Sequence, residues 1–174
     1  MVVYNNILAG ASGVTTGPAT SFKIDRSLRF NDDDTAHLSR TFSVGNRKTW
    51  TWSGWVKRSK LSAEANLFSV GASSTEAKFR FNADDTLKVT DGDAGELNTN
   101  AVFRDPSAWY HIIVALDNTQ STAANRFKLY VNGVEQTYST ATYSTQNTDS
   151  DFNTAVAHYF GRQVHNTSNL FDER

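Results

Sequence analysis

The run Lys48-Thr49-Trp50-Thr51-Trp52-Ser53-Gly54-Trp55-Val56-Lys57-Arg58 alternates with period two. Trp50, Trp52, Gly54 and Val56 fall on one side, and Thr51, Ser53, Trp55 and Lys57 on the other. One side is large and apolar; the other is polar except for Trp55. This pattern predicts a strand of an antiparallel sheet with one face on a core and one nearer water. Trp50 and Trp52 are then core anchors, and Trp55 points away from them.

Similar short segments follow at regular spacing. Ser27-Leu28-Arg29-Phe30 and Ala36-His37-Leu38-Ser39 flank the turn Asn31-Asp32-Asp33-Asp34, which predicts a hairpin with an acidic tip. Strands are predicted over 65–70, 77–81 and 86–89. A loop is predicted over 91–95 and a short strand at Val102 and Phe103, ended by Pro106. The most apolar segment, 109–116, reads as a central strand. Segments 127–131 and 134–138 are joined by Asn132-Gly133, a strong hairpin signal because both turn residues need positive φ. A polar loop over 140–153 precedes a last strand at 157–161. No segment carries a helical period. About ten short strands at this spacing predict an all-β fold, a sandwich or a barrel.

The first 21 residues read differently. Met1 to Ala9 is mildly apolar, and Gly10 to Pro18 is small and Gly-rich. This stretch is predicted to be an arm, with a domain over 22–174. Tyr4, Ile7 and Leu8 are its candidate docking residues, since they are wasted on a purely solvated tail.

Composition narrows the function classes. At 174 residues the chain can bury a core without staples, and it has no cysteine. Net charge is −1 with no basic stripe, so nucleic acid is not an expected partner. No apolar run reaches membrane-spanning length, and the start lacks a signal-peptide pattern. Release by lysis, as in a virus particle, is consistent with that start.

Three pieces in order resemble the laminin-G-like branch of the concanavalin A-like lectin/glucanase superfamily: Trp52-Ser53-Gly54-Trp55-Val56-Lys57, Trp109-Tyr110-His111-Ile112-Ile113-Val114 and Leu129-Tyr130-Val131-Asn132-Gly133-Val134-Glu135. Within that branch, Arg26-Ser27-Leu28-Arg29-Phe30-Asn31 and Phe103-Arg104-Asp105-Pro106-Ser107-Ala108-Trp109 resemble the module of tailed-phage virion proteins. The resemblance implies a two-sheet antiparallel jelly roll. It also implies a role as fibre, appendage or decoration, in a virion made in the host cytoplasm, with other virion proteins and copies of itself as partners. In that family the chain continues past a Phe-Asp-Gly-type turn into a closing strand, whereas Leu170-Phe171-Asp172-Glu173-Arg174 stops there. A fragment, a truncated protein and an edge completed by another chain all fit. The last is favoured, because open edges aggregate unless covered. Ser27, Leu28 and Phe30 are the residues expected at such a subunit contact.

The superfamily includes glycoside hydrolases, which need two closely placed carboxylates on one strand face. No Glu-x-Asp-x-x-Glu run exists; Glu64, Glu76, Glu96, Glu135 and Glu173 are isolated, so no enzymatic activity is expected. His37, His111, His158 and His165 have no zinc-ligand spacing, and His111 reads as a packed or sheet-face residue. No cofactor is expected. The one cation candidate is calcium on Asp91, Asp93 and Glu96, beside Gly92 and Gly95, since laminin-G-like domains often hold calcium at the sandwich rim; acidic turn residues are more commonly just solvated. For binding host-surface glycans, the candidate platform residues are Trp55 and Tyr110, the latter on the side opposite Trp109. Alternation alone leaves open whether a loop or the second sheet covers Trp55.

Overall fold

The structure is a computed structural model and describes residues 27–71, 76–92, 95–164 and 169–172. It is an all-β jelly-roll sandwich of two antiparallel sheets. The strands are β1 (Leu38–Thr41), β2 (Thr49–Val56), β3 (Ala65–Val70), β4 (Ala77–Phe81), β5 (Thr86–Asp91), β6 (Gly95–Val102), β7 (Tyr110–Asp117), β8 (Phe127–Val131), β9 (Val134–Glu135), β10 (Tyr138–Thr142) and β11 (Ala157–Phe160). The larger sheet has the order β1-β11-β3-β4-β5-β6-β10, and the smaller β2-β7-β8-β9. The only helical piece among the described residues is one 3-10 turn, Ala123–Asn125. The predicted arm, with Tyr4, Ile7 and Leu8, lies outside the described residues.

The core sits between the sheets. Alternating residues Phe79 and Phe81 of β4, Leu87 and Val89 of β5, and Leu97 of β6 are fully buried. They face Ile112, Val114 and Leu116 of β7 and Leu129 of β8. Trp50 and Trp52 close this core as expected. The Trp50 ring lies 4.8 Å from Phe152, and the Trp52 ring 5.3 Å from Phe79. Gly54 leaves the space that Trp52 fills, because a Cβ at that position would come within 2.8 Å of the indole. Burying Phe79, which touches Trp50, Trp52, Phe68 and Phe152, contributes about 2–3 kcal/mol.

The predicted centrality of 109–116 holds: β7 pairs with β2 on one side and β8 on the other. The Asn132-Gly133 turn also holds. Both residues have positive φ, 51° and 79°, joining β8 to β9 as their sequence demands.

Four expectations are corrected. Residues 27–30 do not pair with 36–39, because Leu38–Thr41 is taken by β11. Phe30 instead lies over Gly161, whose positive φ of 83° and missing Cβ make room for the ring, and meets Phe171 edge-on at 6.3 Å. The strand at Val102 begins earlier, at Gly95, and β10 occupies part of the predicted 140–153 loop. β6 is Asn- and Thr-rich and β10 Ser- and Thr-rich, and both escape a hydrophobic pattern. Their polar side chains are satisfied by one another: Asn98 Nδ2 donates to Ser139 Oγ, and Asn100 Nδ2 to Thr137 Oγ1. Finally, 134–138 is not one strand. The chain leaves the smaller sheet after Glu135 and joins the larger one at Tyr138.

Candidate functional site

The outer face of the smaller sheet is set by the β2–β7 register. Trp55 lies opposite His111, Ser53 opposite Ile113 and Val56 opposite Tyr110. Alternation then puts Trp55, Ser53, His111 and Ile113 on the face turned away from the core, with Lys128 and Tyr130 of β8 beside them. Trp55 is 54% exposed. No loop covers it.

Among the described residues Trp55 makes one ring contact. Its ring stacks on His111, with centroids 4.8 Å apart and planes inclined by 23°. His111 Nε2 is hydrogen-bonded to the Ser53 hydroxyl at 2.9 Å. The backbone of His111 is clasped by the hairpin turn. Its N–H donates to Asn132 Oδ1 and its carbonyl accepts from the Asn132 N–H, both at 2.8 Å. The turn that makes the β8–β9 hairpin therefore also fixes the ring beneath Trp55. A flat indole with one open face and a polar surround can take the apolar face of a pyranose while hydroxyl and imidazole groups meet its polar edge.

Tyr110, the second expected platform residue, is corrected. It is only 8% exposed, packs edge-on against Phe103 at 5.4 Å, and donates its hydroxyl to the Asp105 carbonyl. It shares its parity with Ile112 and Val114, so it faces the core. The exposed ring is its neighbour Trp109, at 45%. Continuing the register by one pair sets Trp109 opposite Lys57. Together with Ser27, Arg29, Arg58, Ser59 and Pro106 these two line a cavity of about 220 Å³. A larger cavity, about 390 Å³, lies at the far end of β2 and β7. It has no exposed aromatic ring, and its charged groups are engaged: Asp117 by Thr119 and Gln120, Lys128 by Glu135.

The calcium candidate is not assembled. Asp91 pairs with Gly95 at the hairpin end, which puts Glu96 opposite Thr90 and on the other face of the sheet. Asp91 is 1% exposed and faces inward, where Oδ1 accepts from the Ser150 hydroxyl and the Asp151 N–H. Burial pushes its pKa up to about 6. Glu96 instead pairs with Lys88 at 2.8 Å. Asp93 lies outside the described residues, and among those described no three His, Asp or Glu groups gather to hold a metal. Of the expected subunit-contact residues, Ser27 and Leu28 are exposed, whereas the Phe30 ring is occupied within the domain.

Three residues of this face, His111, Trp109 and Lys57, are not marked by the local pattern as site residues. The signal that finds them is the parity they share across two neighbouring strands, which requires knowing that β2 and β7 pair.

Two facing antiparallel sheets with an aromatic-bearing outer face define a sandwich domain of the lectin-like kind. The chain belongs to the concanavalin A-like lectin/glucanases superfamily: the laminin-G profile of that superfamily matches residues 30–172. Among solved structures it is similar to the native heptameric SAP-like pentraxin from Limulus polyphemus, with TM-score 0.49 and 14% identity over 79% of this chain and 62% of that one. It is also similar to domains LG4-5 of the mouse laminin alpha1 chain, with TM-score 0.43 and 13% identity over 78% of this chain and 36% of that one. The chain spans less than two thirds of either structure's length. No curated protein matches the sequence.

Proposed function

We propose that this protein is a non-enzymatic adhesion module that binds host-surface glycan through the outer face of its smaller sheet. The carrying observation is the Trp55 ring, 54% exposed on a core-forming strand and backed by His111. An indole held open on a rigid strand and backed by a second ring is a pre-organised apolar platform of the kind that suits recognition. The non-enzymatic reading is supported by the glutamates: Glu64, Glu76, Glu96 and Glu135 each sit against a cation, Arg80, Lys78, Lys88 and Lys128 respectively.

The resemblance of its Arg26–Asn31 and Phe103–Trp109 segments to virion modules supports a role on a phage particle, as fibre, appendage or decoration. Tyr4, Ile7 and Leu8 anchor it to other virion proteins, and Ser27 and Leu28 meet a further copy. The direct test is titration of the protein with solubilised surface polysaccharide of a susceptible host, comparing wild type with Trp55→Ala. Binding by wild type and its loss in the variant support the proposal; equal binding by both removes Trp55 from it. For the particle role, deletion of residues 1–20 is expected to abolish incorporation while the domain stays folded. Unchanged incorporation would rule the anchor out.

A further inference from the structure

We propose that the free edge of β2, with the uncovered strands β11 and β1 beside it, is a docking groove for an extended segment of another polypeptide. That segment carries apolar side chains at alternate positions. The groove is independent of the glycan reading, because it uses the backbone edge of β2 and not the outer face of Trp55.

β2 is the longest edge strand among the described residues. β1 has four residues, β9 two, and β10 five with a register shift, whereas β2 pairs over eight residues without one. Its backbone groups divide by parity. The Lys48 carbonyl accepts from the Asn118 N–H, and on β7 the backbones of His111 and Asp117 bond toward the β8 side. Even-numbered residues of β2 therefore bond to β7. The N–H and C=O groups of Thr51, Ser53 and Trp55 point away from the sheet and meet no partner among the described residues. Beyond them, the Thr49 N–H is taken by Asn46 Oδ1, and the Ser59 N–H donates to the Asp172 carbonyl. A long, regular, open edge is a template for a further strand.

The floor of the groove is apolar, because the two sheets are offset. β8 lies over β6, and the inward rings of β2 lie over β3 and β4: Trp52 is 6.4 Å from Phe68 and 5.3 Å from Phe79. β11 and β1 project past β2, with no described strand of the smaller sheet above them. His158 and Phe160 face inward against Phe68, and the register sets Arg40 and Leu38 beside them. Phe42 continues that row, edge-on to His158 at 5.1 Å. Leu38 is 46% exposed and Phe42 39%. A strand added to β2 would lie over this row and set every second side chain on it. Arg40 stands in the row, over the Phe42 ring, and pairs with no carboxylate among the described residues. One acidic side chain on the incoming strand fits there.

The offset also selects the occupant. Two strands projecting past β2 make an overhang of ~10 Å. A second copy that brought its own β2 alongside would drive its larger sheet into that overhang. Pairing about Ser53 would also oppose Lys48 to Arg58. A strand with no sheet beneath it fits.

The test uses the full chain and a labelled nine-residue peptide of alternating valine and threonine, with glutamate in place of the central valine. Fluorescence anisotropy reads binding. Two derivatives carry N-methyl groups, one on every threonine amide and one on every other amide. A strand bonds to an edge through alternate amides, so one derivative should bind like the parent and the other about tenfold more weakly. Thr51→Pro removes an outward N–H and leaves the β2–β7 bonds intact, so binding should fall about tenfold with the melting temperature unchanged. The double variant Leu38→Ser, Phe42→Ser should weaken binding to a similar degree from the floor, and it keeps the test decisive if Thr51→Pro misfolds. Trp55→Ala should bind the peptide as wild type does, so the glycan reading can fail without this one. No binding of the peptide, equal binding of the two methylated derivatives, or full binding by the floor variant overturns the groove. A dimer of the full chain that Thr51→Pro dissociates would give the edge to a second copy and overturn the partner assigned here.

Discussion

The two sheets share a core, but their outer faces differ in kind. On the larger sheet the outward charged side chains of β4 and β5 are partnered, while Leu38 of β1 and Val102 of β6 stand open to solvent. Lys78 meets Glu76 at 2.7 Å, Arg80 meets Glu64 at 3.0 Å and Lys88 meets Glu96 at 2.8 Å. Asn82 donates to Asn98, which donates in turn to Ser139. On the smaller sheet the outward side chains include Trp55, with Trp109 just beyond the end of β7, both open to solvent. A face whose groups satisfy one another offers a ligand only exchange of bonds already made. A face with open rings gains on contact. The open rings are what the proposed recognition by the smaller sheet rests on.

The largest expected effect lies in the shared core. Phe79→Ala should destabilise the domain by about 3–5 kcal/mol in denaturant unfolding, because Trp50, Trp52, Phe68 and Phe152 all lose a partner. Both faces should fail together in that variant. A loss below about 1 kcal/mol would mean that the two sheets do not share this core.

Next in size is the buried Asp91. Its folded pKa is about 6, above the unfolded value of ~3.9. The folded state therefore binds the proton more tightly than the unfolded state does. The stability this gives is fully present below about pH 4 and is lost as pH rises through 6. The loss amounts to about 3 kcal/mol. Asp91→Asn should remove this component, seen as a flatter difference in unfolding free energy between pH 4 and 7. A parallel offset at all pH values would contradict it.

The smallest stability effect belongs to the partnered outer face. Arg80→Ala breaks a half-exposed pair with Glu64 and should cost under about 1 kcal/mol, with glycan binding untouched. Lost binding in that variant would move the site to the larger sheet and invert the comparison.

What could be read from the chain divides along the same line. Trp50 and Trp52 in the core, the Asn132-Gly133 turn and the central strand at Ile112 and Val114 all announce themselves locally, through period two and turn chemistry. Strands β6 and β10 do not, because most of their side chains are polar and bond across to one another, as Asn98 does to Ser139, leaving Leu97 of β6 without an apolar neighbour in sequence to mark it as core. Asp85 looks like a turn acid and is one, yet it is also the buried partner of Arg58, 27 residues earlier in the chain. His111 and Trp109 belong to the site only through a register that joins segments some 55 residues apart, and Tyr110 was assigned to the wrong face for want of that register. Local pattern reports strands. It does not report which strand a given side chain will face.

The most direct measurement is the affinity of Trp55→Ala for a glycan that wild type binds, taken beside its unfolding free energy. The ring is half exposed and its main contact is one stack on His111, so stability should change by at most about 1 kcal/mol. Binding should fall by about 2 kcal/mol, roughly thirtyfold, as for a central aromatic anchor. Undiminished binding, or destabilisation by about 3–5 kcal/mol as for a core aromatic, would contradict the assignment of recognition to this face.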